Sequence, residues 1–200
     1  MTVKAIIFDL GKVLVDFEWK RAAEKLREQS SYTDDRIVHL CSQLPINRIY
    51  EQGLITSDQY FRTLSQELGI EDSPRLREIW CDIFSQIKEN IRLPGLLKNS
   101  YHVGLLSNTS EAHHQWIEAR FPFMADFHRK TVSYKIGALK PAEAIYLAAV
   151  DGLEYRPNEI LFIDDLEANI AGALELGWNV VHLKPATSLD NQLRGFGIDI

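Results

Sequence analysis

Four polar segments of this 200-residue chain carry side chains that could act together: Asp9, Ser107-Asn108, Lys140 and Asp164-Asp165. Carboxylates brought together from two places in a chain can hold Mg2+, a hard ion that takes oxygen ligands in near-octahedral geometry. One carboxylate can also attack phosphorus and form an acyl phosphate. That attack sets anion against anion. A cation and an ammonium must offset the charge, while hydroxyl, amide and backbone N–H donors hold the phosphoryl oxygens. Asp9, Asp165, Lys140, Ser107 and Asn108 cover these roles, so the set points to phosphoryl transfer. Each member alone has a plainer explanation. Asp9 can cap a turn, Ser-Asn commonly makes a turn or helix cap, and an acid pair often starts a helix. The chemistry rests on their convergence.

Convergence needs a scaffold. Ile6-Ile7-Phe8 is an apolar run too short for a helix, and it delivers Asp9 as a buried parallel strand would. Val103-Gly104-Leu105-Leu106 does the same for Ser107-Asn108, and Ile160-Leu161-Phe162-Ile163 for Asp164-Asp165. Lys130 to Tyr134 reads as a weaker strand with Lys140-Pro141 in the loop beyond it, and Val180 to Leu183 as a fifth strand. Helical patterns over 111–120, 142–150 and 168–176 alternate with these strands. The expected fold is α/β: a doubly wound, parallel, five-stranded Rossmann-like sheet whose polar strand ends share one edge. Between the first strand and the rest, residues 17–89 read as entirely helical. Helix starts fall at Thr33-Asp34-Asp35, Pro45, Thr56 or Ser57 and Pro74, and the last helix carries Ile79, Trp80, Ile83, Phe84 and Ile87. The expected division is a core of residues 1–16 and 90–200 with an inserted helical cap over 17–89.

The composition is 46% hydrophobic and 25% charged with a net charge of −6. Binding to nucleic-acid phosphates needs clustered Lys and Arg, so nucleic acid is not the expected partner. No apolar run approaches the ~20 residues of a membrane helix, and no leader pattern precedes the first strand. The expectation is a cytoplasmic monomer or homodimer whose partner is a small phosphorylated metabolite. Cys41 and Cys81 lack metal-type spacing and read as reduced, partly buried small side chains.

In order and spacing, Asp9-Leu10-Gly11, Ser107-Asn108, Lys140-Pro141 and Asp164-Asp165 with Asn169 resemble the motifs of the haloacid dehalogenase superfamily, in its form with a helical cap after the first motif. Asp-Leu-Gly, Leu-Leu-Ser-Asn-Thr and Phe-Ile-Asp-Asp-Leu-Glu-Ala-Asn are most similar to bacterial sugar-phosphate phosphatases of the α-glucose-1-phosphate phosphatase kind. The phosphatase-like domain of soluble epoxide hydrolases is a more distant likeness. The resemblance implies a Mg2+-dependent hydrolase acting on a small phosphomonoester, expected to be a sugar phosphate, through an aspartyl-phosphate. It implies Asp9 as nucleophile and Mg2+ ligand, and the Gly11 carbonyl and Asp165 as further ligands. Asp164 would serve the metal site through a bound water or by orienting the loop. Ser107 and Asn108 would hold the phosphoryl group, Lys140 would bridge it to Asp9, and Asn169 would fix the loop.

Gly11 departs from the usual pattern. A second aspartate normally stands there as the general acid, and losing such help lowers rates ~100- to 10,000-fold. Three explanations compete: a substrate with a good leaving group, a stand-in acid with Asp16 and His113 as candidates, or a module that binds phosphate compounds without turnover. His113 lies about one turn into the helix after Ser107-Asn108, where it could also meet substrate, and His114 should face elsewhere. Lys12 could add positive charge near the site or point to solvent. Trp19, Tyr50, Tyr60 and Phe61 could line the cavity or form cap core. Dehalogenation is disfavoured because it gives the acid pair no role, and mutase chemistry because it needs the missing acid. A phosphorylated receiver module would carry its acid pair on the first strand and its Lys-Pro on the last, the reverse of the order here.

Overall fold

The computed structural model of the chain describes residues 2–200; Met1, the first residue of the expected core segment, lies outside them. In chain order, the segments are β1 (Ala5–Phe8), β2 (Val15–Phe17), α1 (Trp19–Leu26), α2 (Asp34–Gln43), α3 (Pro45–Glu51), α4 (Ser57–Leu68), α5 (Pro74–Cys81), β3 (Phe84–Gln86) and α6 (Leu93–Leu97). There follow β4 (His102–Ser107), α7 (Glu111–Arg120), β5 (Arg129–Val132), α8 (Ser133–Ile136), α9 (Glu143–Val150), β6 (Ile160–Asp164), α10 (Glu167–Glu175), β7 (Asn179–His182) and α11 (Leu189–Gly195).

Five strands form one sheet in the order β5-β4-β1-β6-β7, every neighbouring pair parallel. The strands are apolar on both sides because both faces are covered. Ile6 and Phe8 pack on one face with Val103, Leu105, Leu161 and Ile163, while Ala5 and Ile7 pack on the other with Leu106, Ile160 and Phe162. This order reverses direction at β1, and the crevice beyond such a switch point is where open α/β sheets place ligands. The register brings three strand ends level. Phe8 pairs with Leu105 on one side and Ile163 on the other, and the Asp9 N–H donates to the Ile163 carbonyl at 2.8 Å.

Helices α1 to α5 pack about a core of their own, with Ala22, Leu26, Leu40, Tyr60, Phe61, Leu64 and Trp80 at its centre. Their starts follow the sequence signals: Thr33, Thr56 and Ser73 cap α2, α4 and α5, and Thr56 and Gln59 form a reciprocal capping box. Gly69 closes α4 in the left-handed conformation that glycine adopts without a Cβ clash.

The segment over 17–89 is not entirely helical. Helix α5 ends at Cys81, and Phe84–Gln86 pairs antiparallel with Val15–Phe17. The two chain crossings between the sheet and the helices thus hydrogen-bond to each other. The alternation of Val15, Asp16 and Phe17 carried this signal, but a helical reading of Ile83, Phe84 and Ile87 overrode it. The strand expected through Tyr134 also stops early: β5 ends at Val132, and Ser133–Ile136 turns into a short helix closed by Gly137. Pro94 occupies the first turn of α6, where its missing N–H is harmless. Cys41 and Cys81 are free and buried, and burial pushes both thiols up to about 12. Among the described residues no helix is long and apolar enough to cross a membrane.

Candidate active site

The strand ends gather the predicted residues around one buried ammonium. Lys140, 5% exposed, reaches in from the loop after α8. Its Nζ donates to Asp9 Oδ1 at 2.7 Å, to Asp164 Oδ2 at 2.6 Å and to the Leu106 carbonyl at 3.0 Å, so all three of its protons are used. Burial pushes the Lys140 amine down, but the charges of Asp9 and Asp164 outweigh it and hold the group charged. The peptide of Lys140 is fixed as firmly. Its N–H donates to Asn108 Oδ1 at 2.7 Å and its carbonyl accepts from Asn108 Nδ2 at 3.1 Å. The Lys140-Pro141 bond is cis. Asn108 therefore uses its Oδ1 and one Nδ2 proton to position the lysine, and it also lines the cavity with a second Nδ2 proton that has no partner among the described residues. The hydroxyl of Ser107 makes only a long contact, 3.5 Å, to the Asn108 carbonyl.

The acid pair divides in two. Asp164 is fully buried and its oxygens are occupied. Oδ1 accepts from the Leu166 N–H at 2.8 Å, and Asn169 Nδ2 lies 3.0 Å from both oxygens. Asp165 is half-buried, and burial together with the Asp164 charge raises its pKa. Burial likewise raises Asp9, to about 7; Lys140 opposes this and Asp164 adds to it.

Oxygens of Asp9, Asp164 and Asp165 lie within 4.8 Å of one another. Three carboxylates thus share one ammonium, an excess of negative charge that a divalent cation would offset. The donors are all oxygen, which fits Mg2+. Asp9 and Asp165 have oxygen left for an ion. Asp164, saturated by Lys140, Leu166 and Asn169, suits an orienting role better than direct ligation.

Beside this edge lies a cavity of about 340 Å3. Gly11, Ser107 and Asn108 form its sheet side, and Trp19, Asn47, Tyr50, Glu51, Trp80 and Phe84 are among the residues that face them. A Cβ at Gly11 would stand 3.2 Å from the Phe17 ring, so a larger residue there would have to displace that ring. Trp19 and Tyr50 line the cavity, whereas Tyr60 and Phe61 are buried in the helical core.

Neither candidate acid is suited to giving a proton. Asp16 pairs with Lys12 and also accepts from the Phe17 N–H, and these bonds hold its carboxyl below the usual range. It does not line the cavity. Lys12 pairs with Asp16 and lies 4.6 Å from the Phe17 ring centre, and its charge also favours the ionised form of Asp165. It adopts a φ of 57°, which only the tight turn after Asp9 explains. His113 does line the cavity, stacked on Trp80 at 3.7 Å. Its Nε2 lies 3.3 Å from the Trp80 carbonyl, which can only accept, so this nitrogen carries the proton and Nδ1 is left as an acceptor. Burial lowers its pKa to about 3. A neutral imidazole can accept a hydroxyl but is no imidazolium acid at neutral pH. His114 faces elsewhere, with Nδ1 3.3 Å from the Tyr134 hydroxyl.

Glu51 carries no signal in the sequence. It lies at the last position of α3, lines the cavity, and belongs to no motif or periodic stripe. Only the fold, by laying α3 across the sheet edge, brings it into view.

A family model described as haloacid dehalogenase-like hydrolase matches residues 3–177. The chain is 29% identical over 188 residues to the D-ribitol-5-phosphate phosphatase of Bacteroides thetaiotaomicron, covering 88% of this chain and 89% of that protein. It is 24% identical over 204 residues to bifunctional epoxide hydrolase 2 of Sus scrofa, a match to 88% of this chain but only 36% of that protein. Among solved structures, a haloacid dehalogenase family enzyme from B. thetaiotaomicron, in complex with magnesium and inorganic phosphate, superposes with a TM-score of 0.82 at 26% identity. That match covers 96% of this chain and 100% of that one. L-2-haloacid dehalogenase from Xanthobacter autotrophicus, at 17% identity and a TM-score of 0.69, shares the fold; the match covers 100% of this chain and 85% of that one.

Proposed function

The chain belongs to the haloacid dehalogenase-like hydrolase family, and on that premise we propose that it is a Mg2+-dependent phosphatase of a small sugar or polyol phosphate, working through an aspartyl-phosphate at Asp9. The observation that carries the reading is the buried Asp9–Lys140–Asp164 cluster, with Asp165 beside it, at the sheet edge whose Gly11, Ser107 and Asn108 line the cavity. Asp9 and Asp165, with the Gly11 carbonyl, would hold the ion. Bound there, Mg2+ supplies positive charge that favours ionised carboxylates and lowers the repulsion met by an incoming phosphate.

The residues of the chain do the rest. Lys140 fixes one Asp9 oxygen and leaves the other to attack phosphorus in line with the leaving oxygen. The Ser107 hydroxyl donates to the phosphoryl group, whose charge the Lys140 ammonium also attracts. Asn108 and Asn169 act through Lys140 and Asp164, which they hold in place. Residues 17–89 form a cap over the core of 2–16 and 90–200, and its aromatic side restricts the site to small esters and excludes water during attack. The cavity volume suits a substrate of few carbons. The name of the B. thetaiotaomicron relative supports a polyol or sugar phosphate.

The test is Mg2+-dependent release of phosphate across a panel of sugar, polyol and acyl phosphates, with Asp9→Asn beside the wild type. Wild-type turnover that falls at least about 10,000-fold in Asp9→Asn is expected, since a removed nucleophile leaves only binding and electrostatics. Turnover that survives in Asp9→Asn sinks the nucleophile assignment. A wild type that binds phosphate compounds but releases none supports the competing reading, a binding module that has lost its acid at Gly11.

A further inference from the structure

A phosphatase with glycine at position 11 still has to give the leaving oxygen a proton. We propose that Glu51, at the end of α3 on the cavity wall, is the acid that supplies it, in place of the side chain that Gly11 lacks. This rests on the phosphatase reading above.

Three side chains lining the cavity can ionise: Tyr50, Glu51 and His113. The Tyr50 hydroxyl is committed, 2.7 Å from Ser57 Oγ and accepting from the Ala112 N–H at 3.1 Å. His113 is a neutral imidazole whose one N–H faces the Trp80 carbonyl. Glu51 remains, and its carboxyl forms no hydrogen bond or ion pair with the described residues. Its backbone, by contrast, is anchored to the opposite wall. Ser133 Oγ donates to the Glu51 carbonyl at 2.6 Å and accepts from the Thr109 N–H at 2.9 Å. Thr109 follows Ser107-Asn108 directly, so the acid is held in fixed register with the phosphoryl side of the site. A rigid backbone bearing an unpartnered carboxyl is what positioned proton transfer requires. Burial raises the Glu51 carboxyl, with nearby Arg48 opposing, and this favours the protonated form needed at the start.

The steps balance. As Asp9 oxygen bonds to phosphorus, the bond from phosphorus to the leaving oxygen breaks, its electron pair stays on that oxygen, and the Glu51 proton joins it. Water then attacks the phosphorus of the aspartyl-phosphate and gives its proton to the Glu51 carboxylate. The bond to Asp9 breaks, which releases inorganic phosphate and restores both acids.

The experiment compares wild type, Glu51→Gln and Glu51→Asp on the best alkyl phosphate of the panel and on 4-nitrophenyl phosphate, whose leaving group departs without a proton. For Glu51→Gln the expected loss in kcat is about 100-fold or more on the alkyl ester and less than about threefold on the aryl ester. Glu51→Asp should recover part of the alkyl activity. Equal losses on both esters, no loss on either, or a higher KM with kcat unchanged on the alkyl ester would overturn the assignment; the last would make Glu51 a hydroxyl-binding residue. A wild type that turns over only the aryl ester also overturns it. These results leave the phosphatase reading standing, whereas a wild type silent on every ester removes that reading and this one together. Thermal unfolding of Glu51→Gln within a few degrees of wild type confirms that folding is not the cause.

Discussion

At the sheet edge, the Lys140 ammonium meets Asp9, Asp164 and a backbone carbonyl, and Asp164 is held in turn by Asn169 and the Leu166 N–H. Across the cavity, the helical wall offers stacked aromatic rings, a neutral histidine and one carboxyl with no partner. The first wall is saturated and fixed, as a buried polar network must be, since an unmet charge there would cost several kcal/mol. The second pairs its Tyr50 hydroxyl and its His113 N–H but leaves the Glu51 carboxyl without a partner among the described residues. The nucleophile and its ammonium sit on one wall, and the carboxyl proposed to move the proton sits on the other.

The contrast is tested first by breaking the saturated side. Lys140→Met leaves Asp9 and Asp164 buried with no ammonium between them. Chemical denaturation should show a loss of about 3–5 kcal/mol, against less than about 1 kcal/mol for Glu51→Gln on the open wall. Equal losses would mean that the two walls are not built differently.

Metal addition is the second test. Mg2+ at about 100-fold over its dissociation constant should stabilise the wild type by about 2.7 kcal/mol, read as a rise in melting temperature. Asp165→Asn should abolish most of that rise while leaving the protein folded in its absence. An undiminished rise would place the ion elsewhere.

A smaller effect comes from pH. His113 is lowered from 6.5 to about 3. The unfolded chain therefore takes up this proton as pH falls below about 6.5, while the folded chain does not until near 3. His113 thus subtracts stability as pH falls through that window, by at most about 1.4 kcal/mol per unit. Asp9, raised from 3.8 to about 7, acts in the opposite sense between those values, because there the folded state holds the proton. The two slopes oppose each other, so the difference between wild type and His113→Gln isolates the histidine. That difference should favour the variant progressively from pH 6.5 to 4.5. A flat difference would mean that His113 is not buried as a neutral ring.

The contrast also explains what could be read from the sequence. The saturated wall was legible, because Asp9, Ser107 and Asp164-Asp165 end or directly follow apolar strands, with Lys140 in the loop beyond β5 and α8, and parallel strands send such ends to one edge. The partner of Asn108 was not, since an amide after a strand gives no sign that it will grip the peptide of Lys140, 32 residues away. Nor was the β2–β3 pair, since the alternation over Val15–Phe17 spans only three residues and Ile83, Phe84 and Ile87 also fit a helical spacing. Helix starts in the cap were visible from Thr33, Thr56 and Pro74 because capping is a local interaction. Glu51 was not visible, because its place depends on where α3 comes to rest against Ser133 and Thr109.

The central claim is that Asp9 becomes phosphorylated. The most direct test is to quench wild type during turnover of its best phosphate ester with Mg2+, reduce any acyl phosphate with borohydride, and map the peptides by mass. The account predicts conversion of the aspartate at position 9 to homoserine, with no such product in Asp9→Asn. Turnover with position 9 unmodified, or modification at Asp164 or Asp165 instead, would contradict it.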